Sequence, residues 1–177
     1  MEYQVGDYLV HEGSGVCQID DIADMELMGK GSKKTYYCMH PVFKASAKVF
    51  TPLDGASLKL RPVTSAAEFA AILDSIDSIE LIHESNDRLR QEAFKSVMAE
   101  FTVESLIRVV KTALVRKWAR LQAGKKVMAQ DEKVLALAGR KLYEEMAFAM
   151  DQDVAVVQQL FEEKVGERAD ELMASAI

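Results

Sequence analysis

Arg88, Arg90, Lys95, Arg116, Lys117, Arg120, Lys125 and Lys126 fall within one stretch of the chain, and the chemistry their types allow is contact with phosphates. Between residues 85 and 141 there are 13 Lys and Arg against 6 Asp and Glu, a balance of +7 in a chain whose net charge is −6. The net value therefore hides a segregation of sign along the sequence. A solvated helix face competes with this reading, because protein surfaces commonly carry roughly a quarter or more charged residues.

Other chemistry finds little support. His11, His40 and His83 are scattered over unrelated segments, and no HExxH, GxSxG or phosphate-loop pattern occurs. Glu144 and Glu145 are adjacent positions of an expected helix, pointing about 100° apart, so they cannot clasp one substrate atom together. Gly13-Ser14-Gly15 lacks the strand, loop and helix order of a phosphate cradle and reads as a turn. Cys17 and Cys38 have neither CxxC spacing nor a histidine cluster and read as buried thiols. The sequence thus predicts no catalytic residue, metal, cofactor or small-molecule substrate.

The elements that position the cations follow from periodicity. Leu106, Val109, Val110, Ala113, Leu114 and Trp118 recur at three- and four-residue steps, which predicts a long helix with one buried face. Arg108, Lys111, Arg116, Lys117 and Arg120 would occupy the opposite face. Trp118 shares its stripe with Leu114 and Leu121 and is expected to anchor core. Helices are expected over about 86–99, 102–122, 130–149 and 152–164, with Thr102 capping the second and Gly124 stopping it. Asp131 and Glu132 would place acids at the N-terminus of the next helix. A further short helix is expected over Ser65–Leu73, started by a Ser or Thr cap.

Residues 1–63 have strand character. Runs around Tyr3–Val10 (interrupted by Gly6-Asp7), Val16–Ile19, Thr35–Met39, Ala47–Thr51 and Ser57–Arg61 are separated by His11–Gly15 and by the polar, glycine-rich loop after Met28. Short strands in so small a segment favour a strongly bent SH3- or Tudor-like barrel. The expected organisation is α+β: a small β-barrel over 1–63, a linker helix and connection over 64–84, and an all-helical domain with an acidic tail over 85–177. No run of apolar residues is long enough to span a membrane. The start, MEYQVGDYLV, has neither basic leader nor long apolar core, so a cytoplasmic protein is expected.

The order of these features resembles the CarD/CdnL family of bacterial transcription regulators. The resemblance rests on Val5-Gly6-Asp7, Val10-His11, Gly13–Val16, Phe50-Thr51-Pro52 and Leu60-Arg61-Pro62-Val63 in the β module. In the helical part, Asp87–Arg90, Arg116-Lys117-Trp118, Asp131-Glu132-Lys133 and Leu142–Glu145 are similar to the version common in Firmicutes. The resemblance implies a Tudor-like domain that docks on the β subunit of RNA polymerase, followed by a helical domain that touches promoter DNA at the upstream edge of the melted −10 region and stabilises the open complex. It places the polymerase-facing positions near Met25 and at Val49 and Phe50, apolar where family members often carry arginine. Docking by strand addition relies mainly on backbone groups, so such a mode tolerates this change. The family's wedge tryptophan corresponds here to Asn86 or Asp87, a departure that replaces an apolar wedge by a group able to hydrogen-bond to a base edge or a phosphate.

Together these observations predict a non-enzymatic transcription regulator whose DNA-facing residues are Asn86, Arg88, Arg90, Arg116, Lys117, Arg120, Lys125 and Lys126. The rival is a protein-only adaptor, with a barrel that binds a partner and a structural or dimerising helical lobe.

Overall fold

The computed structural model describes residues 3–56 and 59–175, and the chain divides into two compact units, Met1–Val63 and Thr64–Ile177. The first is a five-stranded antiparallel sheet in the order β4-β3-β2-β1-β5. Its strands are β1 (Tyr8–His11), β2 (Gly15–Met25), β3 (Lys34–Pro41), β4 (Val49–Pro52) and β5 (Leu60–Pro62). The His11–Gly15 stretch makes the expected turn: Ser14 N–H donates to the His11 carbonyl at 3.2 Å, and Gly15 takes φ +74°, which a side chain would resist. The register shifts between Ile19 and Asp21 on β2, and such a bulge bends the strand. Leu9, Cys17, Ile19, Tyr37, Met39 and Leu60 then meet in one small core. Burial raises the Cys17 thiol to about 11, which keeps it protonated and inert. The last strand is described over Leu60–Pro62, and Ser57 and Leu58, where the Ser57–Arg61 run starts, lie outside the described residues.

The second unit is helical: α1 (Ala66–Asp74), α2 (Asp87–Ala99), α3 (Val103–Gln122), α4 (Ala129–Val134), α5 (Arg140–Met150), α6 (Val154–Gly166) and α7 (Ala169–Ser175). Capping explains several starts. Ser65 and Glu68 form a capping box on α1, and Thr102 forms one with Ser105 on α3. A π turn over Leu135–Gly139 joins α4 to α5, so the expected 130–149 helix is one run with an altered turn. Gly139 there has no room for a side chain without displacing the Tyr143 ring, 3.2 Å from a notional Cβ.

Two expectations fail here. The 64–84 stretch is no mere connection, because Phe69, Leu73, Ile76, Leu81 and Ile82 are buried in the helical core. Nor does α3 keep one wet face: from Ser105 to Val115 every residue except Arg108 is buried. The two failures share part of their cause. Residues 76–82 cross α3 as a strap, held by Lys111 Nζ donating to the Ile76 and Ile79 carbonyls (2.8 and 2.7 Å) and by Ile82 N–H donating to Thr112 Oγ1 (3.0 Å). Arg108 Nε adds a bond to the Glu80 carbonyl at 3.3 Å. A helix covered on nearly all sides is the core element of its unit, and α3 touches α2, α4, the π turn, α5 and α7.

Candidate functional site

In the β unit, among the described residues, β4 pairs only with β3, so its other side is an open edge. Leu53 N–H donates to the Thr35 carbonyl at 3.0 Å, which fixes the phase of the ladder. Pairs alternate in an antiparallel ribbon, so Thr51 opposite Tyr37 and Val49 opposite Met39 exchange hydrogen bonds, whereas Phe50 opposite Cys38 and Pro52 opposite Tyr36 do not. The backbone N–H and carbonyl of Phe50 therefore point away from β3 along the free edge. Pro52 sits where its missing N–H faces outward and costs the sheet nothing. The side chains alternate independently: Thr51 is buried, Val49 is half-buried against the core, and the Phe50 ring is 40% exposed. Met25, half-buried, ends β2 opposite Lys34. Sequence reading placed Val49 and Phe50 together, but only the ladder phase separates their backbone roles.

In the helical unit the cations separate into two groups. Arg90 is 1% exposed and does not belong to a DNA-facing surface. Its terminal nitrogens donate to Asp87 Oδ1 at 2.6 Å and to the Glu84 carbonyl at 3.2 Å, and its Nε lies 3.7 Å from Asp131 Oδ1. Asp131, 0% exposed, also accepts from Arg116 Nε at 3.3 Å. A buried guanidinium survives only when its charge is met, and this arginine–aspartate–arginine cluster meets it while tying α2, α3 and α4 together. Arg90 stands one turn before Phe94 on the buried face of α2, which is the signal that could have identified it. Lys111 likewise leaves the expected wet face; desolvation lowers its pKa, and the strap carbonyls take up its protons.

Of the remaining predicted residues, Arg116 is largely covered and held by Asp131, and the others stay accessible. Asn86 is exposed and caps α2, its Oδ1 accepting from Arg88 N–H and Leu89 N–H at 2.9 and 3.2 Å. That leaves the side-chain amide as the outward group. Arg88 is exposed with an i,i+4 partner, Glu92, at 3.1 Å, a pairing of little energetic weight at this exposure. Lys117 and Arg120 are half-buried, and Lys125 and Lys126 are exposed. The loop that carries the two lysines is built firmly. Gly124 adopts φ +69° just past the end of α3, Gly124 N–H donates to the Leu121 carbonyl and Lys125 N–H to that of Arg120. Arg120 Nε then donates to the Lys126 carbonyl at 2.7 Å, a tie no sequence pattern announced. Trp118 is half-buried and packs against the core, as its stripe predicts, while Leu121 is exposed.

Among the described residues no group of three His, Cys, Asp or Glu side chains could hold a metal ion, and no helix is long and apolar enough to cross a membrane. Comparison with known families gives a match to the CarD-like/TRCF RID domain over residues 3–64, which is the β unit. No curated protein matches the chain. The β unit is therefore similar to the CarD-like/TRCF RID domain and has its Tudor-like fold. The domain family is non-catalytic, and it marks a transcription-related protein that interacts with RNA polymerase.

Proposed function

We propose that the protein docks on the polymerase β subunit through the β4 edge and uses its helical unit to hold promoter DNA near the −10 region, stabilising the open complex. The observation that carries this reading is the free edge at Phe50 within a matched CarD-like/TRCF RID domain. A strand from the partner would pair with the outward backbone of Phe50 beside Val49, with Met25 contributing apolar contact from the far end of β2. Asn86, Arg88, Arg116, Lys117, Arg120, Lys125 and Lys126 form the DNA-facing set, with Arg90 acting from beneath as a support. At −6 overall the free protein binds naked DNA weakly, and polymerase supplies the local concentration. Such a partner places the protein in the cytoplasm.

The test combines two measurements. Phe50→Pro removes an outward donor and leaves the β3–β4 ladder in place, so polymerase binding should fall while the fold persists. Val49→Pro removes a donor that faces β3 and should destabilise the sheet itself. Full polymerase binding by a folded Phe50→Pro variant would exclude this edge. For DNA, reversing Lys125 and Lys126 to Glu should weaken contact and reduce the salt slope by roughly one for each lost phosphate contact. An adaptor that touches only protein would bind polymerase–promoter complex and polymerase alone equally, with no response to these reversals.

A further inference from the structure

Within the helical unit, a cleft of about 640 Å³ opens between the Leu81–Asp87 segment and the C-terminal half of α3 with the loop after it. Its size lies in the range of about 300–1,000 Å³ typical of small-molecule sites. The two walls differ in chemistry. One carries Arg116, Arg120 and Lys125; the other carries His83, Glu84 and Ser85; Ile82 and Ala119 supply buried apolar surface between them.

The charges that line it are not equally available. Asp87 is engaged by Arg90, and Arg116 is engaged by Asp131. Arg120 and Lys125 remain as the cations able to receive a ligand. The single hydrogen bond that Arg120 makes to the Lys126 carbonyl uses Nε and fixes the guanidinium, leaving its terminal nitrogens for bidentate contact with a phosphate. Ile82 and Ala119, with Ala123 and Met128, give the cleft an apolar lining against which a ring can pack, and exposed Glu84 can accept from amino or hydroxyl donors. Anion, ring and donor are the three parts of a nucleotide.

We propose that this cleft is a mononucleotide site, with phosphate on Arg120 and Lys125, the base against Ile82 and Ala119, and donor groups directed to Glu84. The ligand is one unpaired nucleotide of a melted DNA strand or a free nucleotide; only the former source rests on the DNA-facing reading above. The experiment titrates the isotopically labelled full chain with deoxyadenosine monophosphate, with inorganic phosphate and with deoxyadenosine, following backbone amides by NMR. The expected result is a set of shifts confined to Ile82–Ser85 and Ala119–Lys125, with the nucleotide at least about tenfold tighter than either fragment, since it engages both walls. Arg120→Ala and Lys125→Ala should each weaken it several-fold, whereas Lys133→Glu on the exposed side of α4 should not. Lys125→Ala leaves the Arg120 tie intact and so separates ligand contact from loop support. Equal affinity for phosphate alone, shifts elsewhere, or wild-type affinity in both alanine variants would overturn the proposal. Displacement of the nucleotide by a single-stranded oligonucleotide assigns the source to DNA; failure to displace assigns it to a free nucleotide. Lys126 does not line the cleft, so a Lys126→Glu variant that loses promoter contact but keeps the nucleotide tests the DNA reading separately.

Discussion

Arg90 and Lys125 are both cations of one basic stretch, yet they do opposite work. Arg90 lies 1% exposed on the buried face of α2, its charge met by Asp87 and Asp131, while Lys125 is exposed on a loop fixed by Gly124 and Arg120. Lys111 belongs with Arg90, and Lys126 with Lys125. A charge count treats them alike. What separates them is whether a second segment of chain covers the residue, and buried cations are then stability elements while exposed ones remain available to partners.

This division can be broken most severely at its centre. Asp131→Ala strips the common partner from Arg90 and Arg116 and leaves buried charge unmatched, so denaturant unfolding should show a loss of about 3–5 kcal/mol. If the variant unfolds with wild-type stability, the cluster is not what fixes α2 against α4. Lys111→Met comes next. It keeps the volume but leaves the Ile76 and Ile79 carbonyls without their donor, for a loss of about 1–3 kcal/mol.

That variant also carries a pH signature. Desolvation holds the Lys111 pKa below the free-lysine value of 10.5, so the unfolded chain binds the proton more tightly than the folded one. The contribution of this titration is therefore present in full above 10.5 and is lost as pH falls through the folded value. The stability difference between wild type and Lys111→Met should grow as pH approaches 10.5 from below, and a difference independent of pH would contradict the desolvation.

Smaller effects are expected at the loop. Gly124→Ala forces a side chain into the left-handed region and should cost about 1 kcal/mol, with faster amide exchange at Lys125 as the local readout. Reversal of Lys125 and Lys126 to Glu should change stability by less than about 0.5 kcal/mol, because neither lysine's charge is buried. A larger loss there would erase the distinction between the two groups of cations.

Much of this organisation was legible in the chain. The turn at Gly13–Gly15, the Thr102 cap, the Gly124 stop and the core role of Trp118 depend on local sterics and periodicity, and the structure agrees with each. The β module and its family were readable because short strands with fixed turns leave a small set of solutions. Asp131 is by position an acid suited to a helix N-terminus; its burial between two arginines depends on α2 and α3 arriving beside it.

By itself, then, the sequence determined what each segment could become, because hydrogen bonding to near neighbours and the spacing of apolar residues set helices, strands and turns. Tertiary structure alone decided which face of each segment is left to a partner. The 76–82 strap buries Lys111, the ladder phase turns the Phe50 backbone outward, and the Arg120 tie to Lys126 shapes the basic loop. The first depends on groups far apart in sequence, the second on hydrogen-bond phase between strands and the third on a side chain folding back onto the loop six residues on, and a local pattern carries no record of any of them.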